Sequence, residues 1–217
     1  MSDTRLEATL AARERYFHTL GILDDDVWSH LINPAFMGGP QWPSLRQGWR
    51  RIQRDASTII ISDGLSDPSE DESDPNVGFG IEILVETPDA VAEDLRDSWL
   101  FHLVYQVTQN AAAHGGYRQI VEELNIFTLE IGSINPLTDF ANAEGRVGVL
   151  LGLNPPDFAV EVELPGGTLR AIAAKLLTLR ELNYVINHRQ AGRLELKAKF
   201  EEDRSYHLSS LFRASVV

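Results

Sequence analysis

The sequence predicts an α+β fold: a mixed, largely antiparallel β-sheet with helices packed on it. Three observations carry this. Residues 58–61 and 79–85 are short runs rich in β-branched side chains, which fit strands. Residues 158–164, Pro165-Gly166-Gly167 and residues 168–177 form a second hairpin pattern. Leu95, Trp99, Leu103, Val107 and Ala111 recur every four residues, as on a helix lying across a sheet. No repeat or linker composition interrupts the chain. Residues 1–217 are therefore expected to form one domain, with residues 1–34 a helical N-terminal segment packed on it.

The elements follow in order. Leu6, Leu10, Ala11, Phe17 and Leu20 predict a helix over 4–20, with Gly21 ending it. Asp26 is placed to cap a short helix bearing Val27, Trp28, Leu31 and Ile32, closed by Asn33-Pro34. Residues 38–43 read as an irregular loop in which two prolines hold Trp42, either to plug one edge of the core or to present the indole to a partner. Arg46, Arg50, Arg51 and Arg54 would suit a basic amphipathic helix, but the preferred reading is a strand over 47–53 that turns at Arg54-Asp55-Ala56 and pairs with 58–62. Residues 69–76 contain no apolar side chain and read as an exposed loop. In strand 78–86, Phe79, Ile81, Ile83 and Val85 alternate with Gly80, Glu82, Leu84 and Glu86, which predicts a half-buried strand with carboxylates on its second side.

Asp89 is placed to cap the long helix, and His114-Gly115-Gly116 to stop it. Residues 117–130 fit helix by the spacing of Ile120, Leu124 and Phe127, and strand by NIFTLEI. Residues 132–145 read as irregular, and 146–151 as an interior strand. Thr178 with Glu181 is a capping box opening a helix that Ala191-Gly192 ends. Leu194, Leu196, Ala198 and Phe200 then alternate as a final strand, and residues 206–217 offer one more.

Composition narrows the function. The absence of cysteine removes disulfides, thiolate nucleophiles and cysteine-based zinc sites. No signal peptide or membrane-length apolar run is legible, so the expected location is cytoplasmic. The formal net charge is -13, and residues 63–97 hold twelve of the acidic side chains against one basic one, Arg96. That field disfavours nucleic acid; it suits a solubilising surface first, and could steer a basic protein. No zinc-helix, dinucleotide, P-loop or nucleophile-elbow motif is present. His102 and His114 lie about three helical turns apart, too far to share a metal unaided. The carboxylates between Asp67 and Asp74 lack the glycine and terminal glutamate of a calcium loop.

Gly-Pro-x-Trp-Pro at 39–43, Ser-Asp-Gly-Leu-Ser-Asp at 62–67 and Gly-Phe-Gly-Ile-Glu at 78–82 together resemble the Suppressor of fused family in its bacterial single-domain form. Trp99, His114-Gly115, the 148–152 strand, Leu177-Thr178 and Glu181-Leu182 agree with it. The similarity is to the amino-terminal domain of the animal protein. It implies a non-enzymatic domain, without cofactor, metal or catalytic residues, that sequesters or inhibits a protein partner. For a bacterial member it implies an immunity-type protein against a polymorphic toxin, its partner a basic toxin domain or an extended peptide segment. A regulatory module for another cellular protein is the first alternative, and a metal-dependent hydrolase using the acidic loop the second. The expected partner-binding residues are Asp63, Asp67, Asp71 and Glu72, offering carboxylates to arginine or lysine from an accessible loop, with Trp42 as an apolar anchor. Asp63 and Asp67 equally suit turn caps. Gly64, Gly78 and Gly80 are expected at tight turns and close approaches.

Overall fold

The computed structural model describes residues 2–69, 74–132 and 137–217. In chain order the elements are α1 (Ser2–Leu20), β1 (Ile22–Leu23), β2 (Trp28–Ser29), β3 (Gly48–Gln53), β4 (Thr58–Asp63), β5 (Ile81–Thr87), α2 (Trp99–His114), α3 (Tyr117–Leu124), β6 (Phe127–Gly132), β7 (Arg146–Leu153), β8 (Glu161–Leu164), β9 (Gly167–Leu176) and α4 (Leu179–Glu202). The strands form one sheet in the order β1-β3-β4-β5-β9-β7-β6, with β2 also on β3 and β8 also on β9. Every pairing is antiparallel except β5 with β9. The α+β class and the mixed, largely antiparallel sheet are as the sequence predicts.

Helices cover both faces. Alternate residues of the strands divide between them, so Ile60, Ile83, Val85, Val149 and Ile172 meet the stripe of α2. On the opposite face Ile59, Ile61, Leu84 and Ala171 pack under Tyr16, Phe17 and Leu20 of α1. Leu150 and Leu177 pack under Val185, Leu196 and Phe200 of α4. Burial on both sides explains the unbroken apolar run in β4, where each enclosed isoleucine contributes roughly 2 kcal/mol. It also corrects the expectation for β5. The alternation is real, but the second side is enclosed as well, and Glu82 and Glu86 are buried.

Three further expectations change, and one open reading is resolved. Residues 26–32 form β2 and a bend rather than a helix, because the backbone of Trp28 and Ser29 pairs with Trp49 and Gly48 on β3. Asp89 does not cap α2. Ser98 does, through Leu100 N–H, while Asp89 accepts from Ser210 Oγ and Leu211 N–H. The ambiguous 117–130 region holds both answers, helix α3 and then strand β6. The capping box at Thr178 and Glu181 is present, but α4 bends at Arg189 and continues to Glu202. The predicted strand over 194–200 is therefore helix: Leu196 and Phe200, one helical turn apart, are buried, whereas Leu194 and Ala198 are exposed.

β7 carries an irregularity between Leu151 and Leu153. There Gly152 has φ +92°, and a Cβ would collide with the Asn125 carbonyl. Gly152→Ala is expected to lower unfolding stability by roughly 3 kcal/mol in urea titrations. Gly132→Ala, where a Cβ meets open space, is the control expected to stay within about 1 kcal/mol.

Candidate functional site

Residue 13 is the unexpected member of the first helix. Thr9, Ala12, Arg13, Tyr16, Phe17 and Leu20 form the buried stripe of α1, and Arg13 has no exposed surface at all. Its guanidinium lies 2.6 Å from Asp63, 2.7 Å from Asp67 and 3.3 Å from Glu82, and donates to Ser66 Oγ at 2.8 Å. Asp63 ends β4 on the face that carries Ile59 and Ile61, and Glu82 stands on the same face of β5. The period of two thus delivers both carboxylates beneath α1.

Glu82 is wrapped by the chain that follows β4. Its carboxylate accepts from the Ser62 and Ser66 hydroxyls and from the N–H groups of Gly64, Leu65 and Ser66. Arg46 approaches from the other side, 2.7 Å from Asp63 and 3.2 Å from Asp67. Ser44 Oγ donates to Asp67 at 2.7 Å, and Arg50 stands 3.9 Å from Asp63. Three carboxylates face three guanidinium groups, so the buried charge balances. Burial would raise Asp63, but Arg13, then Arg46 and Arg50, hold it at about 2. Burial likewise opposes the charge on Arg13, and its three carboxylates outweigh it and raise that group.

The motifs at 39–43, 62–67 and 78–82 meet at this cluster. Trp42 is buried against Trp49, with ring centroids 5.3 Å apart, and leaves no room for a Cβ on Gly64. Pro43 and the Asp67 carbonyl crowd Gly78 in the same way. The accessible acidic loop expected of Asp63 and Asp67 is corrected. Both are enclosed, as is Trp42, because α1 supplies an arginine that sequence periodicity assigns to solvent. Asp71 and Glu72 lie outside the described residues. His102 and His114 do not converge; His114 bonds the Asn110 carbonyl. Among the described residues, no three histidine, aspartate or glutamate side chains are grouped to hold a metal.

Accessible chemistry lies beside the cluster, where Arg46 emerges. The connection from β2 to β3 exposes Leu31, Ile32, Phe36, Met37 and Leu45. Leu31, Phe36 and Leu45 line one groove of about 440 Å³ with His30, Arg46 and Gln47. Asn33 shapes it, accepting from Ala35 N–H to cap a 3-10 turn over Pro34–Met37 and donating to the Leu45 carbonyl. His30 sits edge-on to Trp49 and Tyr105, and its partial burial lowers its pKa. Sequence reading placed Val27, Leu31 and Ile32 inside a packed helix. The signal available to find the ledge was a dense apolar segment adjoining turn-forming Asn-Pro and Gly-Gly-Pro, which regular structure cannot bury.

The cluster predicts an acid response in two windows. Asp63 falls from an ordinary 3.8 to about 2 on folding, so its stabilisation, of the order of 2 kcal/mol, is present above pH 3.8 and lost as pH falls towards 2. Glu82 is raised, chiefly by burial, so its contribution has the opposite sign and acts above its ordinary 4.5. Urea stability measured against pH should fall below 3.8, and Asp63→Asn should remove that step. Arg13→Ala, which strands buried carboxylates, is expected to destabilise by about 3–5 kcal/mol.

No family model matches this chain, and no curated protein matches it. Solved structures do. A chain in the Sufu-Fu complex crystal structure is 15% identical with a TM-score of 0.54, over 98% of this chain and 92% of that one. The crystal structure of Drosophila Suppressor of Fused is 15% identical with a TM-score of 0.58, over 98% of this chain and 51% of that one. The chain thus spans about half the length of the Drosophila protein, and its fold is that of Suppressor of fused.

Proposed function

We propose that this chain is a non-enzymatic protein-binding domain that sequesters or inhibits a protein partner through the ledge at Leu31, Ile32, Phe36, Met37 and Leu45. One observation carries the reading. Eleven large apolar side chains are exposed among the described residues, and six of them, Val27 included, fall within residues 27–45. Apolar surface gathered in one place, with a charged group at its edge, has the character of a contact face. The likeness of fold to Suppressor of fused supports a binding role.

The narrower reading is an immunity-type protein of bacterial single-domain form, whose partner is a basic toxin domain. Net charge supports it, since -13 steers a basic protein towards this chain. Asp24, Asp25 and Asp26, just ahead of β2, add acidic groups near the ledge's start. Asp71 and Glu72 stay in the proposal as acidic contacts on sequence grounds, while Trp42, Asp63 and Asp67 support the ledge from behind. A hydrolase built on Asp63 and Asp67 is disfavoured because guanidinium groups occupy both carboxylates.

The test is affinity capture from the source organism's lysate, with the captured protein identified by mass spectrometry. Leu31→Asp and Phe36→Asp alter exposed side chains, so stability should stay within about 0.5 kcal/mol. Each is expected to abolish capture of a basic partner. Undiminished capture by both folded variants would remove the ledge from the proposal, and capture of an acidic protein would remove the toxin reading.

A further inference from the structure

Residues 203–217 form neither helix nor strand, yet buried groups of the domain hold them along their length. Lys175, fully enclosed on β9, donates to the carbonyls of Ser205 at 3.4 Å and Leu208 at 2.5 Å. Leu176 N–H donates to Ser209 Oγ at 2.9 Å, and Ser209 N–H to the Glu86 carbonyl at 2.8 Å. The Glu86 carboxylate meets His207 Nε2 at 2.6 Å. Asp89 accepts from Ser210 Oγ at 2.7 Å and Leu211 N–H at 2.8 Å. Glu181, enclosed at the start of α4, accepts from Arg213 at 2.6 Å and from Val216 N–H at 3.1 Å. Val216 and Val217 then pack beside Leu196 and Phe200.

The groups of the domain in this cleft therefore find their partners largely in one strap. With the strap lifted, Lys175 would keep no hydrogen bond and Glu181 would keep only those of its capping box. Burial pulls Lys175 down to about 7, with Arg213 adding to the effect. An emptied cleft of this kind demands the same ligand again. The hinge leading into the strap is strained. Arg204 has φ +57° and Tyr206 φ +39°, left-handed positions that L side chains rarely adopt.

We infer that the cleft bounded by Lys175, Glu181, Glu86 and Asp89 is a binding site for residues 203–217 of a second copy of this chain, so that two copies exchange straps. Exchange reproduces every bond of the cleft and lets the hinge open into an extended path, which relieves its two left-handed residues. Across the cleft, Arg213 of the strap meets Glu181 and His207 meets Glu86, while Lys175 donates to strap carbonyls.

Complementation tests this in the full chain. Glu181→Gln weakens the cleft, and Arg213→Ala weakens the strap. Each variant is warmed to its unfolding midpoint and cooled, alone and mixed in equal amounts, and species are weighed by size exclusion with light scattering. The mixture is expected to give roughly tenfold more dimer than either variant alone, because it alone can join an intact strap to an intact cleft. A mixture of folded variants that stays monomeric overturns the proposal. Should a variant fail to refold, Glu14→Cys chains labelled with donor or acceptor dye and treated in the same way report exchange by energy transfer, and its absence also overturns the proposal. Arg204→Gly with Tyr206→Gly is expected to lower the dimer fraction, since glycine removes the strain from the closed form. An unchanged fraction overturns the part assigned to the hinge.

Discussion

The buried ion cluster around Arg13 is the constraint on which the rest of the structure rests. Enclosing a charged group is expensive, and the expense is offset only when every partner is in place. Arg13 comes from α1, Arg46 from the loop before β3, Asp63 from the end of β4, and Glu82 from β5. None of these segments can shift without stranding a charge belonging to another. Apolar contact is non-directional, whereas this cluster has one arrangement that satisfies all its members. The N-terminal helix is thereby fixed to the sheet in rotation and height, not merely laid across it. The loop carrying Arg46 is fixed as well, and that loop sets the edge of the apolar ledge.

Much of this fold was legible because strand periodicity survives in the sequence. The pairing of β3 with β4, the β8–β9 hairpin and the capping box of α4 all follow from local chemistry that tertiary contacts do not override. The misses share a cause. Arg13, Glu82 and Glu86 are charged side chains in buried stripes, and a charge is assigned to solvent unless its partner is known. Their partners lie 69 residues away for Arg13 with Glu82, and 121 for Glu86 with His207. The second half of α4 failed differently: Leu194, Leu196, Ala198 and Phe200 alternate by chance, while the burial that matters follows the helical turn.

The same burial changes what the acidic stretch contributes. Of the twelve carboxylates in residues 63–97, Asp63, Asp67, Glu82 and Glu86 are enclosed and paired, and Asp89 is engaged by the strap. They add little to the outward field. Exposed acids, such as Glu93 in that stretch and Asp25 and Asp26 before it, carry proportionally more of it. Long-range attraction for a basic protein is screened within about 8 Å at physiological salt, whereas contact with an apolar ledge is not. Charge would therefore govern approach, and apolar contact retention, in the complex proposed on the ledge.

Charged side chains also close the other end of the sheet, around Lys175, Glu181 and Glu86, and the contrast between the two ends is instructive. At the Arg13 cluster a helix with its own apolar stripe contributes the central arginine, so ionic and apolar contacts hold the same element. At the far end an irregular strap contributes them, with little regular backbone bonding of its own. An element secured by both kinds of contact opens only with the whole domain, while one held mainly through polar anchors and a strained hinge belongs to the low-stability end of the molecule. Glu86 touches both conditions. Its backbone lies in the central sheet, while its carboxylate gathers Ser57, Arg54 and His207 from a hairpin and the strap. In the proposed exchange the strap leaves with the sheet intact, and what it leaves behind is a cleft whose chemistry a segment of matching sequence restores.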